Sequence, residues 1–156
     1  MRRVLLTAMV VAVLIPFTAR AQGRPDFSGT WTRDAAKSDP APQGRGGSSG
    51  HTIYQTGTEI AVTIAGRGGP EKSIYKLDGT ESINQVQSPE GPLTVKGTAR
   101  WDGASLVIET TREIQGMTIM TKEVRTLDTT GKEMTIEAIT RSPQGEIKRK
   151  VVFIKN

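Results

Sequence analysis

Apolar and polar residues alternate along the chain from Thr52 onward, in short runs that are separated by turn residues. The runs are rich in Val, Ile and Thr, and none keeps a helical period over the ten or so residues that a helix needs. With one further run near Phe27–Arg33, this spacing predicts about ten strands joined by consecutive hairpins. The expected fold is therefore all-β, an antiparallel up-and-down barrel of about eight to ten strands, in which closure removes the sheet edges.

Turn sequences predict which residues share a face of each strand. Asp102-Gly103 predicts a two-residue hairpin loop that pairs Trp101 with Ala104. The inner face then holds the apolar residues of both strands together with Thr110 and Arg112, while the charged positions lie outside. A one-residue error in such a loop would exchange the two faces of the next strand.

The loop that contains Gln115-Gly116 allows two registers. A two-residue loop would put Ile119 inside, whereas a three-residue loop with Gly116 left-handed puts Met120 inside. The next turn, Leu127–Lys132, favours the second, because its register directs alternate residues inward, namely Met120, Lys122, Val124, Met134, Ile136 and Ala138. Glu123 and Arg125 are then predicted to point outward.

Ser88–Gly91 and Ser142–Gly145 are predicted to form turns of the same kind, with proline at the position that suits its fixed φ. The first turn places Gln85 and Gln87 inside. The second directs lysines inward and apolar residues outward on the last strand, so a β-bulge is expected there. His51 joins the inner face if the turn at Thr56-Gly57 pairs it with Val62.

Phe27–Trp31 contains a Gly-x-Trp motif, Gly29 and Trp31, at the start of the first strand. This motif resembles that of the lipocalin, or calycin, barrels. Together with Ala99–Gly103 and Leu106–Thr110, the segment Pro25–Trp31 resembles bacterial exported lipocalin-like domains over nearly the whole chain after residue 21. The resemblance implies that Trp31 closes the bottom of the barrel and that a late basic residue packs across it. Arg149 is the first choice for that residue and Lys150 the second. The chain has neither the long C-terminal helix nor the disulfide of a typical lipocalin, so no specific ligand carries over.

Residues 1–21 have the pattern of a signal peptide, with Arg2 and Arg3, an apolar run Val4–Phe17 and a small-x-small site that ends at Ala21. The run is shorter than the roughly 20 residues of a membrane span. We expect one domain, 22–156, that is periplasmic or secreted. Without cysteine, lipid attachment at a new N-terminal Cys is excluded, so the domain is not expected to be membrane-anchored. Residues 34–50 are expected to form a flexible loop after the first strand.

Removal of that segment lowers the net charge from +5 to +2, because Arg2, Arg3 and Arg20 leave with it. Charges of both signs are interspersed in the remainder, with no basic stripe of the kind that binds nucleic acid. A nucleic-acid partner is therefore not expected.

The chain has one histidine, no cysteine, and no linear catalytic or metal-binding motif. No enzyme activity, metal or cofactor is expected. A mostly apolar inner face with a few polar groups is typical of a ligand pocket. The candidate ligand-binding residues are Arg112, Lys122, His51, Gln85, Gln87 and Thr110.

These observations favour an exported barrel that binds a small hydrophobic or amphipathic ligand. Inward cations would suit an anionic head group such as a fatty-acid carboxylate. The alternative is a protein-interaction or enzyme-inhibitor barrel with a filled core, which would use residues 34–50 as its contact. The two hypotheses differ in whether the lumen is open or packed.

Overall fold

The computed structural model describes residues 23–40, 49–66, 69–88 and 91–156. The predicted signal peptide, residues 1–21, and positions 41–48 of the predicted loop lie outside these residues. The described chain forms an antiparallel sheet with strands β1 (Gly29–Asp34), β2 (Gly50–Gln55), β3 (Glu59–Gly66), β4 (Gly69–Lys76), β5 (Ser82–Ser88), β6 (Gly91–Asp102), β7 (Ser105–Ile114), β8 (Met117–Leu127), β9 (Glu133–Ser142) and β10 (Gly145–Lys155). No helix in the described residues is long and apolar enough to cross a membrane.

The sheet is a meander that curls into a nearly closed barrel, which confirms the predicted fold class. Each strand pairs with its neighbours in sequence, and β1 also pairs with β10, so the first and last strands are adjacent. The exception is the junction of β4 and β5, where no backbone ladder forms. We call this junction the seam.

Side chains bridge the seam. The Asn84 side chain forms two hydrogen bonds with the backbone of Ile74: its Oδ1 accepts from the Ile74 N–H at 2.8 Å, and its Nδ2 donates to the Ile74 carbonyl at 3.1 Å. Ser82 Oγ accepts from the N–H of Lys76 at 3.2 Å. The Asn84 amide thus takes the place of a backbone partner for Ile74, whose N–H and C=O would otherwise lack hydrogen bonds at the seam.

One end of the barrel is closed by a packed core around Trp31, which is fully buried. The indole Nε1 donates to the carbonyl of Phe27 at 2.9 Å, and the Lys155 ammonium lies 5.3 Å from the ring centroid. The predicted cation across the tryptophan therefore exists, but it is Lys155. The predictions of Arg149 and Lys150 for this position are wrong, because β10 continues beyond both residues and brings Lys155 opposite Trp31.

The predicted three-residue loop at Gln115-Gly116 is wrong. Ile114 pairs with Met117, so two residues connect β7 to β8, and Gln115 and Gly116 have φ of 51° and 73°. Positive φ at both central positions is the geometry of a type I′ turn. All of β8 is therefore inverted relative to the prediction.

The connection after β8 also differs from the prediction, because Leu127 pairs with Met134 and Arg125 with Ile136. The two differences cancel at β9, where Met134 and Ile136 are buried as predicted. On β8 the predicted inner and outer faces are exchanged: Arg125 and Glu123 face the interior, and Lys122 faces outward.

The same one-residue error affects β5 and β10. Ser88 pairs with Gly91 and Ser142 with Gly145, so each connection spans two residues. Asn84 and Val86 are consequently buried in place of Gln85 and Gln87, which are exposed. On β10 the pairing with β9 is continuous from Gly145 to Ile154, and Val151 and Phe153 point inward without the expected bulge.

Two hairpins keep their predicted faces although their pairs differ by two residues. Trp101 pairs with Leu106 instead of Ala104, and His51 pairs with Ile64 instead of Val62. A shift by two preserves the side-chain alternation of a strand. Thr110, Arg112 and His51 therefore lie on the inner face, as predicted.

Candidate ligand-binding site

A cavity of about 490 Å³ lies inside the barrel, above the closed end. Its wall combines apolar side chains, such as Ile108, Ile136 and Phe153, with many polar ones, including Ser73 and Thr121. The lumen is thus more polar than the Val, Ile, Leu, Met and Ala face predicted from the sequence.

Six charged side chains line the cavity, and arginines outnumber glutamates: Arg33, Arg112, Arg125 and Arg149 against Glu71 and Glu123. Charges in a partly enclosed, low-dielectric site interact more strongly than they do in water. The lumen therefore presents a net positive charge to whatever enters it.

Arg125 is the most deeply buried of these charged residues, with 3% of its surface exposed. Its Nη2 and Nε donate to Glu123 Oε2 at 2.6 and 3.1 Å. Burial acts to raise the pKa of Glu123, but the charge and hydrogen bonds of Arg125 outweigh it and the net pKa is lowered, so the pair is ionised at neutral pH. Arg125 Nη1 is buried and has no hydrogen-bond partner within the described residues.

His51 lies in the same region and is 6% exposed. Its ring stacks on Phe153 at a centroid distance of 4.4 Å, and its buried Nδ1 has no partner in the described chain. Burial, with a smaller contribution from the charge of Arg125, lowers the pKa of His51 to about 4. The ring is therefore neutral at pH 7 and can offer one N–H and one lone pair.

Residues 35–40, which we call the strap, run along β10 beside the cavity. Asp39 exchanges hydrogen bonds with Lys150: its N–H donates to the Lys150 carbonyl at 2.9 Å, and its Oδ2 accepts from the Lys150 N–H at 2.6 Å. Arg33 Nη2 donates to the Asp39 carbonyl at 2.6 Å, and Arg149 Nη2 to that of Pro40 at 3.2 Å. Both arginines keep a buried Nε without a partner among the described residues.

Of the predicted ligand-binding residues, the structure brings His51, Thr110 and Arg112 to the cavity. Lys122 lies on the outer surface, where its Nζ is 3.8 Å from Glu109. Gln85 is also outside, donating to Thr94 Oγ1 at 2.8 Å. Gln87 is exposed on the same face of β5.

Sequence reasoning missed Arg33, Glu71, Glu123 and Arg125. Arg33 has a detectable signal, since it is two residues after the inward Trp31 and side chains alternate along a strand. Glu123 and Arg125 had no such signal, because their orientation depends on the length of the loop before β8. In the described ranges, no three His, Asp or Glu side chains come together as a metal site.

No protein-family model matches the chain, and no curated protein matches it. Among solved structures it is similar to the zebrafish ileal bile acid-binding protein in complex with cholic acid, at 15% identity and a TM-score of 0.55, over 83% of this chain and 98% of that one. It is also similar to the fatty acid transporter REP1-NXSQ, at 11% identity and a TM-score of 0.56, over 83% and 96%. A heat soluble (SAHS) protein from Ramazzottius varieornatus gives 15% identity and a TM-score of 0.58, over 83% and 94%. At these identities the similarity establishes the fold alone, which is that of the calycin-like barrels.

Proposed function

We propose that this protein binds a small amphipathic molecule with an anionic group inside its barrel. The observation that carries the proposal is two buried nitrogens without partners among the described residues, Arg125 Nη1 and His51 Nδ1, on the wall of one cavity. A buried polar group without a hydrogen bond costs about 1–3 kcal/mol, and most such groups in folded proteins find a partner. A ligand carboxylate or comparable oxygen group would supply it, accepting from Arg125 Nη1 and from His51 in the tautomer that carries its proton on Nδ1.

The charge of the lumen supports an anion in particular. Glu123 offsets Arg125, but Arg33, Arg112 and Arg149 face only Glu71 as a further acidic wall residue. The apolar positions of the wall, such as Ile108 and Ile136, would contact the hydrophobic part of the ligand.

The open lumen supports ligand binding over the filled-core alternative, which requires a packed interior. The fold comparisons support it as well, because two of the similar structures are described as a bile acid-binding protein and a fatty acid transporter. We further propose that binding takes place in the periplasm or outside the cell. The signal-peptide pattern of residues 1–21 supports that location. The lack of enzyme activity stays a prediction.

Titration with a fluorescent fatty-acid probe tests the proposal. We expect saturable binding that Arg125→Gln weakens about tenfold, because a hydrogen bond to a charged group is lost. Lys122→Gln is the matched control, since it removes the same charge from the same strand on its outer face, and it should leave the affinity unchanged within about twofold.

Loss of the Arg125 charge leaves Glu123 buried beside a neutral group, so a second variant guards against misfolding. His51→Phe keeps an aromatic ring against Phe153 and removes Nδ1, and we expect it to weaken binding without unfolding the barrel. If the wild-type protein shows no saturable binding of fatty-acid or bile-acid probes, the proposal is wrong.

A further inference from the structure

Five buried side-chain nitrogens have no hydrogen-bond partner among the described residues, and four of them belong to the cavity wall: Arg33 Nε, His51 Nδ1, Arg125 Nη1 and Arg149 Nε. The fifth, Trp101 Nε1, belongs to a residue that does not line this cavity. Since buried polar groups in folded proteins nearly always have a partner, four orphaned nitrogens on one wall favour an acceptor inside it. The proposed function uses two of them and leaves the two arginines of the strap unexplained.

Arg33 and Arg149 meet at the strap. Arg33 Nη2 donates to the carbonyl of Asp39, and Arg149 Nη2 donates to that of Pro40, the next residue. Both partners are neutral, and the ion pairs formed by the described residues include neither arginine. Two positive charges without a counter-charge therefore lie near one another on the wall, each with a buried Nε that is still free to donate.

Arg125 and His51 reach the same part of the wall from neighbouring strands. His51 stacks on Phe153, which pairs with Arg33. Across β9, Arg125 is in register with Val151, two residues from Phe153 on β10. The four orphaned nitrogens therefore belong to one sector of the wall, formed by the adjacent strands β8, β9, β10, β1 and β2.

The charge of the wall indicates how much negative charge the cavity accommodates. Its four arginines and two glutamates give a formal charge of +2, and His51 is neutral at pH 7. A ligand with one negative charge leaves one positive charge over, in a partly enclosed site where charges interact more strongly than in water. A ligand group with two negative charges neutralises the wall.

A phosphate monoester combines two charges with several acceptors. Its second pKa is about 6, so at neutral pH it carries nearly two negative charges on three terminal oxygens. A carboxylate carries one charge on two oxygens. Guanidinium groups bind phosphate through paired N–H donors. Donors that come from several strands also suit oxygens that point in different directions.

We propose that the anionic group of the ligand is a phosphate monoester, held by the four orphaned nitrogens of this sector. This inference rests on the proposed function and names the head group of its ligand. The apolar part of the ester would contact aliphatic side chains on the other side of the cavity, such as Val86 on β5 and Val95 on β6.

Competition against the fluorescent fatty-acid probe on the full chain tests the inference. The competitors share a ten-carbon alkyl chain and differ in the head: decyl phosphate, decyl sulfate and undecanoic acid, each below its micelle concentration at pH 7.5. The sulfate has three terminal oxygens but one charge, so it separates charge from shape. We expect the phosphate to bind about tenfold more tightly than the other two, because it alone neutralises the wall.

Inorganic phosphate separates the ester from the free ion. We expect it to displace the probe only at far higher concentration than decyl phosphate, because it has no apolar part. Displacement at equal concentrations would assign the site to the free ion and overturn the ester.

Arg33→Gln and Arg149→Gln each remove one charge from the wall, and each should lower the preference for phosphate over sulfate severalfold, whatever the change in overall affinity. Lys148→Gln is the matched control, because it removes the same charge from the residue next to Arg149, where the side chain is 74% exposed. It should leave the preference unchanged.

Phosphorus NMR of decyl phosphate bound to the wild-type protein gives a readout that needs no variant. Its second pKa should fall well below 6, because the guanidinium charges favour the dianion. A bound ester whose second pKa stays near 6 would contradict the inference.

The two proposals fail differently. If neither the acid nor either ester displaces the probe, the proposed function itself is wrong. If they bind and the phosphate is no tighter than the sulfate, binding of amphipathic anions stands and the phosphate head group is excluded. If folded Arg33→Gln and Arg149→Gln both keep the full preference, these arginines do not hold the head group.

Discussion

Lys155 and Gly29 depend on one another at the closed end. Gly29 has a φ of 137°, and a Cβ built on it would lie 2.5 Å from Lys155 Cε. The lysine stem occupies the space that a side chain at position 29 would need, and from there its ammonium reaches the face of Trp31. A cation over an indole contributes roughly 0.5–2 kcal/mol. The Gly-x-Trp motif is therefore a packing requirement, in which glycine makes room for the residue that covers the tryptophan.

The lowered pKa of His51 predicts that the stability of the protein depends on pH. Its pKa is about 4 in the folded protein and about 6.5 in an unfolded chain. As the pH falls, His51 is therefore protonated in the unfolded state before it is protonated in the folded state. The free energy of unfolding decreases as the pH falls from about 6.5 to about 4. Between pH 7.5 and pH 5 the loss in the free energy of unfolding should be about 2 kcal/mol.

Urea denaturation at the two pH values measures this loss, and His51→Phe should abolish most of it. The pKa of Glu123 is also lowered, but its contribution to stability is lost mainly below its ordinary pKa, outside this range. Because His51 is the single histidine of the chain, its imidazole NMR signals report its pKa directly. A His51 pKa near 6.5 in the folded protein would contradict the prediction.

At the scale of the element, the strand pattern was predictable and the orientation of three strands was not. Alternation of Val, Ile and Thr with turn residues locates a strand without reference to the rest of the chain. Orientation instead depends on a single residue in each connection. Ser-Pro-x-Gly is compatible with a two-residue loop and with a longer one, so the side of β10 that faces inward cannot be derived from Ser142–Gly145 alone.

The candidate site was affected for the same reason. His51 and Arg112 were predicted correctly because their hairpins were wrong by two residues, which preserves the face. Lys122 was predicted inside, and Arg125 outside, because the loop before β8 is one residue shorter than expected. The choice between a lysine and an arginine as the inward cation of β8 was thus determined by the conformation of Gln115 and Gly116.

The hydrogen bonds of Asn84 across the seam are predicted to contribute to stability. Asn84→Ala removes both hydrogen bonds to Ile74 and leaves its backbone groups open at the edge of β4. We expect the free energy of unfolding to fall by about 1–3 kcal/mol and the Ile74 amide to exchange with solvent much faster than in the wild type.

Gln85→Ala is the matched control, since Gln85 is the next residue on β5 and its amide bonds to a side chain on the outer surface. It should change stability by no more than about 0.5 kcal/mol. Equal losses in the two variants, or an unchanged exchange rate at Ile74, would show that the Asn84 amide does not bridge the seam.

At the scale of the whole molecule, the two ends of the barrel have different compositions. The closed end is built from Trp31, Phe27 and Met134, which are all fully buried. The remaining interior holds several charged residues around a cavity. The packed core and the charged cavity wall are therefore different layers of the interior, and they meet where the His51 ring stacks on Phe153.

The pairing of β1 with β10 joins residues that are distant in sequence, with Thr32 and Asn156 bonded across 124 positions. Non-local pairs of this kind slow folding, because a long loop must close before the contact forms. The barrel thus has two separate discontinuities, one in the chain between β10 and β1 and one in the sheet at the seam. A circular permutant that joins β10 to β1 with a short glycine linker and opens the chain at Thr80-Glu81 would place both at one position.

Every strand ladder of that permutant would connect strands that are consecutive in sequence. The long-range contacts that remain would lie at the seam, namely the side-chain bonds of Asn84 and Ser82 and the backbone bond from Gly79 to Ala99. We expect it to refold faster than the natural order in stopped-flow experiments. A second permutant with the same linker, opened at Gly103-Ala104, separates the ends of the β6–β7 ladder and should refold more slowly. Equal refolding rates for the first permutant and the natural order would mean that closure of β1 against β10 does not limit folding.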